Sequence, residues 1–90
     1  MYQIGTKLVV HHKVATLQGG DYDIATGKKC KKEKGTTMYF NPAMKNLAGK
    51  IVTVTEGAHL NPKVFYISTQ TNESWILIPD WVHPITFKEL

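Results

Sequence analysis

The sequence predicts a mainly β fold: a small, partly open β-barrel of about five strands with one short helix and a long inserted loop. Three observations predict it. Short β-branched and aromatic runs recur, bounded by glycine, proline and polar turns. Apolar residues within those runs alternate with polar ones. Only one segment bears helix punctuation. At 90 residues the chain makes one domain. It buries roughly 60% of the surface of its unfolded form, enough for a small core but little for a deep pocket.

The elements follow in order. Lys7-Leu8-Val9-Val10-His11 opens after Gly5 and is predicted as a strand with Leu8 and Val10 on one face. Residues 15–37 are polar and rich in glycine, and are expected to form an inserted basic loop. A short helix is predicted over 42–48. Asn41 suits its N-cap, Pro42 its first position, and Gly49 the left-handed residue that ends it. Met44 and Leu47 share a face and must lean on the sheet, because so short a helix is not stable alone. Ile51-Val52-Thr53-Val54-Thr55 is β-branched throughout, with Val52 and Val54 inward. Val64 to Thr69 and Ser74 to Ile78 read as a hairpin closed by Gln70-Thr71-Asn72-Glu73, with Phe65, Ile67 and Trp75 expected in the core. Pro79 ends the second of these strands. A last short strand is expected near Pro84-Ile85-Thr86-Phe87.

Charge is unevenly placed. The formal net charge is +4, with no arginine. Lys28, Lys29, Lys31, Lys32 and Lys34 surround Cys30 and Glu33, and this short stretch holds the whole excess. A lone cysteine excludes a disulfide-stapled secreted module. No apolar run reaches the ~20 residues a membrane helix needs. The first residues have no cleavable-signal layout, so a cytoplasmic setting is expected.

The order Ile4-Gly5-Thr6-Lys7-Leu8-Val9-Val10, Met44-x-x-Leu47-Ala48-Gly49-Lys50-Ile51-Val52-Thr53-Val54, Phe65-Tyr66-Ile67, Trp75, then Trp81 and Pro84 resembles a known group. These are the small SH3-like barrel proteins of unknown function encoded by bacteriophages of low-GC Gram-positive bacteria. The likeness covers residues 4–14 and 38–85. Leu77 stands where the group has its second tryptophan, Trp81-Val82 replaces a Met-Phe pair, and the glycine-rich loop is expanded. The resemblance implies one SH3-like domain over 1–90, with the basic loop 15–37 inserted. It also implies a phage-type accessory protein acting in the host bacterial cytoplasm. No functional residue carries over from it.

No catalytic constellation is present. The sequence has no nucleophile elbow, no phosphate-cradling glycine loop before a helix and no paired carboxylates in a pocket. A non-enzymatic protein without cofactor is therefore expected. His11 and His12, adjacent on a predicted strand, would point to opposite faces, and no pair has zinc-ligand spacing, so no metal is expected. Asp21 and Asp23 suit a turn rather than a calcium loop. Cys30 is expected to be inert, although its lysine neighbours would lower its pKa.

The expected work is binding of a host protein, as inhibitor, modulator or counter-defence factor. The expected contacts are Lys28, Lys29, Lys31, Lys32 and Lys34 of the loop, with Tyr22, Tyr66 and Trp81 as exposed aromatic anchors. The alternatives are a low-specificity nucleic-acid-binding module using the lysines on phosphates, and a structural or scaffold component of a virion.

Overall fold

The β-branched runs become strands, and so does much of the polar insertion. A computed structural model describes residues 2–57 and 64–85. Among them β1 is Lys7–Val10, β2 Gly20–Asp23, β3 Lys29–Cys30 and β4 Thr37–Phe40. Then follow β5 (Ile51–Gly57), β6 (Phe65–Ser68), β7 (Ser74–Leu77) and β8 (Val82–Pro84). Short 3₁₀ helices lie at His12–Thr16, Pro42–Leu47 and Pro79–Trp81. Two antiparallel sheets result, in the orders β7-β6-β5-β1-β8 and β3-β2-β4. The larger sheet is open, with β7 and β8 at its edges.

Alternation sets the register. Leu8 faces Val52, and Val10 faces Val82. Leu8, Val10, Val52, Val54, Phe65 and Ile67 are all buried, as the alternation predicts. Val9 is buried too, so β1 is covered on both faces. The β5–β6 register shifts between Val54 and Glu56, a bulge that sharpens the local twist. The β6–β7 hairpin pairs Phe65 with Leu77 and Ile67 with Trp75. Its turn holds Asn72 at φ +65, in the left-handed region that asparagine tolerates. Thr69 Oγ1 accepts from the Thr71 and Glu73 amides there.

The helix around Met44 forms as expected, but as a 3₁₀ helix. Asn41 Oδ1 accepts from the Ala43 amide at 2.9 Å, and Met44 and Leu47 are buried. Gly49 follows at φ +78. The expected strand at His11 stops one residue earlier. His11 Nδ1 accepts from the Lys13 amide at 3.0 Å and so caps the first 3₁₀ helix. Next to the expected final strand near residues 84–87, Val82–Pro84 forms a strand paired with β1. Thr86, Phe87 and His59 lie outside the described residues.

The largest correction concerns residues 15–37, expected as a loop. They contain β2 and β3, and β2 pairs with β4 from Gly20↔Phe40 to Asp23↔Thr37. The polar composition conceals an alternation: Tyr22 and Ile24 face inward while Asp21 and Asp23 lie between. Asp23 also closes the turn, its Oδ1 accepting from the amides of Ala25 and Thr26. The core therefore lies between both sheets. It unites Leu8, Val10 and Ile67 of the larger sheet with Tyr22 and Phe40 of the smaller, around a fully buried Trp81. No helix among the described residues is long and apolar enough to cross a membrane.

Candidate functional site

The lysines sit on one edge of the smaller sheet and in the connection that follows. Lys29 is on β3 opposite Tyr22, and Lys31, Lys32 and Lys34 lie in the link to β4. These residues and Lys28 are exposed. Lys29 Nζ donates to Gln18 Oε1 at 3.2 Å. The cluster is not purely basic, because Cys30 pairs with Asp21 across the ladder. Desolvation pushes the Cys30 thiol up, and the carboxylates of Asp23, Asp21 and Glu33 push it further. The expected lowering by lysine is thus corrected: the ladder brings carboxylates to the sulfur while the long lysine side chains extend into solvent.

Two of the three expected aromatic anchors are core residues. Trp81 is 0% exposed and Tyr22 is 4% exposed. The Tyr22 ring meets Trp81 edge-on at 5.8 Å and Phe40 at 6.0 Å. Phe40 and Trp81 are 5.3 Å apart. The Tyr22 hydroxyl donates to the Gln18 carbonyl at 2.7 Å, which satisfies its polar end. Neither ring is available to a partner. The expected exposure of Trp81 is corrected: it is the last residue of the 3₁₀ helix Pro79–Trp81, which turns it inward.

Tyr66 does lie on the outer face of β6, half-buried. It belongs to a shallow groove of about 310 Å³ between the two sheets. Met38 and Tyr39 of β4 form one wall, and Ser74, Trp75 and Ile76 of β7 form the other. Tyr66, Asn41 and Met44 complete it. Tyr39 is 55% exposed. Trp75, expected in the core, only packs partly against it, and its Nε1 donates to Glu73 Oε2 at 3.4 Å. Sequence reading missed Tyr39 and Trp75 as surface residues. The detectable signal was Tyr39 alternating with inward Phe40; nothing in the sequence brings β4 near β7.

Both walls are sheet edges. The Thr69 amide donates to the Glu73 carbonyl at 2.9 Å, which fixes the phase of the β6–β7 ladder. Hydrogen-bonded pairs alternate with non-bonded ones. Ile67↔Trp75 and Phe65↔Leu77 are then the bonded pairs, and the N–H and C=O of Ser74 and Ile76 point away from β6. The same argument from the Ile24 amide on the Thr36 carbonyl, 3.0 Å, points the backbone of Tyr39 away from β2.

The histidines meet at the other end of the larger sheet. The His11 ring lies 5.9 Å from that of His12 and 5.7 Å from that of His83. They share a neighbourhood rather than opposing faces, because His11 is a helix cap and His12 is helical. Desolvation lowers the His11 pKa, with Lys13, His83 and His12 adding to it and Asp80 opposing. Among the described residues no group of His, Cys, Asp and Glu is placed to hold a metal ion.

Comparison of the chain with protein-family models, with curated proteins and with solved structures finds no match.

Proposed function

We propose that this chain is a non-catalytic protein-binding module, built as an SH3-like barrel opened along one side. The observation that carries the binding role is the groove of Tyr39, Tyr66 and Trp75 between two sheet edges. Tyrosine and tryptophan supply large contact area at low entropic cost and dominate interface energetics. The barrel reading is supported by the strand order β7-β6-β5-β1-β8 and by a 3₁₀ turn leading into the last strand. The resemblance to phage-encoded barrels makes the partner a host bacterial protein, bound in the host cytoplasm as an inhibitor, modulator or counter-defence factor.

The test is affinity capture from a bacterial lysate by the full chain and by a Tyr39→Ser, Tyr66→Ser double variant. Tyr39 is exposed and Tyr66 half-buried on the outer face, so the double variant is expected to fold, which circular dichroism checks. A protein held by the first and released by the second is expected. Equal retention by both would overturn the reading.

A second reading, phosphate contact, rests on the exposure of Lys28, Lys29, Lys31, Lys32 and Lys34. Nearby Asp21, Asp23 and Glu33 oppose it by cancelling part of the local charge. It requires nucleic-acid affinity that falls steeply with salt and disappears when the five lysines become glutamine.

A further inference from the structure

Of the four sheet edges among the described residues, two are blunted in the usual ways and two carry neither device. β3 is two residues long and flanked by lysines. β8 carries Pro84, which has no amide to donate. Short, charged or proline-bearing edges resist pairing with foreign strands. β4, Thr-Met-Tyr-Phe, and β7, Ser-Trp-Ile-Leu, have neither charge nor proline. Both edges are walls of the groove, and β7 is the one left for an added strand, because the outward Thr37 amide of β4 already donates to the Glu33 carbonyl at 3.2 Å.

The geometry points to β-strand addition: an extended, apolar segment of a partner protein pairs with β7 through the outward backbone groups of Ser74 and Ile76. This rests on the protein-binding reading above and specifies the partner's chemistry. Outward amides and carbonyls two residues apart match the repeat of an incoming strand. The groove gives that strand two kinds of neighbour, Trp75 and Met38 inside the cleft and Tyr66 and Ile76 on the outer face. Side chains on both faces of the added strand are therefore selected as apolar.

No residue of β4, β6 or β7 is charged, and the carboxylate beside the groove, Glu73, already accepts from Trp75 Nε1 at 3.4 Å. The groove therefore offers an incoming strand apolar contact and backbone groups rather than an ion pair.

Size argues against a second copy of this chain as occupant. A stable dimer buries about 800 Å² per partner. Among the described residues only Ile4 and Tyr39 are large exposed hydrophobics. The walls are four residues long, about 13 Å of strand. That span suits a slender peptide.

The experiment is selection of random nonapeptides displayed on phage against the immobilised full chain, with synthetic copies of the enriched peptides titrated into it. Enriched peptides are expected to be apolar at successive central positions. Ser74→Pro removes an outward amide but no ladder bond, and should weaken binding about tenfold while leaving the melting temperature close to wild type. Should that variant fail to fold, amide exchange of the unaltered chain with the peptide decides. Slowed exchange at Ser74 and Ile76 supports strand addition, and unchanged exchange overturns it. Peptides that bind equally to Ser74→Pro but are lost on the Tyr39→Ser, Tyr66→Ser variant overturn strand addition and leave the protein-binding groove standing. No enrichment above that double variant overturns both, and enrichment of predominantly charged peptides overturns the apolar assignment.

Discussion

Gly27 lies against the carboxylate of Asp80, so close that a Cβ at 27 would overlap the Asp80 side chain. Two constraints meet there. Gly27 has φ +74, a conformation costing an L-residue about 1–2 kcal/mol. Asp80 is held by Lys13 at 2.6 Å, which joins the first 3₁₀ helix to the last. The turn of the β2–β3 hairpin is thereby seated on the 3₁₀ turn that buries Trp81.

Gly27→Ala should destabilise the fold by about 2 kcal/mol, read as a lowered urea midpoint. Asp80 must rotate away from the new methyl and release Lys13. In an Asp80→Ala background the same substitution should cost less, because the carboxylate no longer overlaps the new methyl, leaving the backbone strain and the close Cβ of residue 80 at 2.6 Å. Equal costs in both backgrounds would show that the contact does not couple the two segments.

The aromatic set separates by position. Trp81→Ala should cost roughly 3–5 kcal/mol. A domain this small has on the order of 5–10 kcal/mol in total, so the variant should be largely unfolded near 37 °C. Tyr66→Ala, on the half-buried outer face, should cost about 1 kcal/mol or less. Urea unfolding followed by near-ultraviolet circular dichroism measures both, and similar costs would contradict the burial pattern.

That contrast shows what the sequence made legible. Leu8, Val10, Val52, Val54, Phe65 and Ile67 were readable because each sits in a strand whose alternation registers in the chain itself. Asn41, Pro42 and Gly49 were readable because capping is local chemistry. Tyr22 and Trp81 were not. Their burial depends on β2 folding back over the larger sheet, a long-range event that a glycine-rich polar segment does not announce. The groove was hidden for the same reason: Tyr39 and Trp75 are far apart in the chain and meet only through the packing of two sheets.

Acid should weaken the fold through His11. Its folded pKa is lowered from 6.5, first by desolvation and then by Lys13, His83 and His12. The unfolded chain therefore binds the proton more readily, and stability falls as pH drops from 6.5 through the lowered value. Protonation also removes the lone pair on Nδ1 that accepts the Lys13 amide. His11→Asn retains a capping acceptor without the titration. It should flatten the decline in melting temperature between about pH 7.5 and pH 5, and an unchanged slope would assign the decline to other groups.

Cys30 provides the last prediction, because its surroundings reverse what the neighbouring lysines suggest. The thiol is exposed, so access does not limit its chemistry. Its pKa is raised by desolvation and by Asp23, Asp21 and Glu33, so less thiolate is present at a given pH. The thiolate is the reacting form. Alkylation by iodoacetamide at about pH 8 should then run slower than that of an unstructured cysteine peptide. Asp21→Asn with Asp23→Asn should speed it, and the gain should shrink in high salt, since exposed charges are screened there. A rate above the peptide's would mean that the lysines, not the carboxylates, set the potential at the sulfur, and that the connection entering β4 is a stronger anion site than the ladder geometry implies.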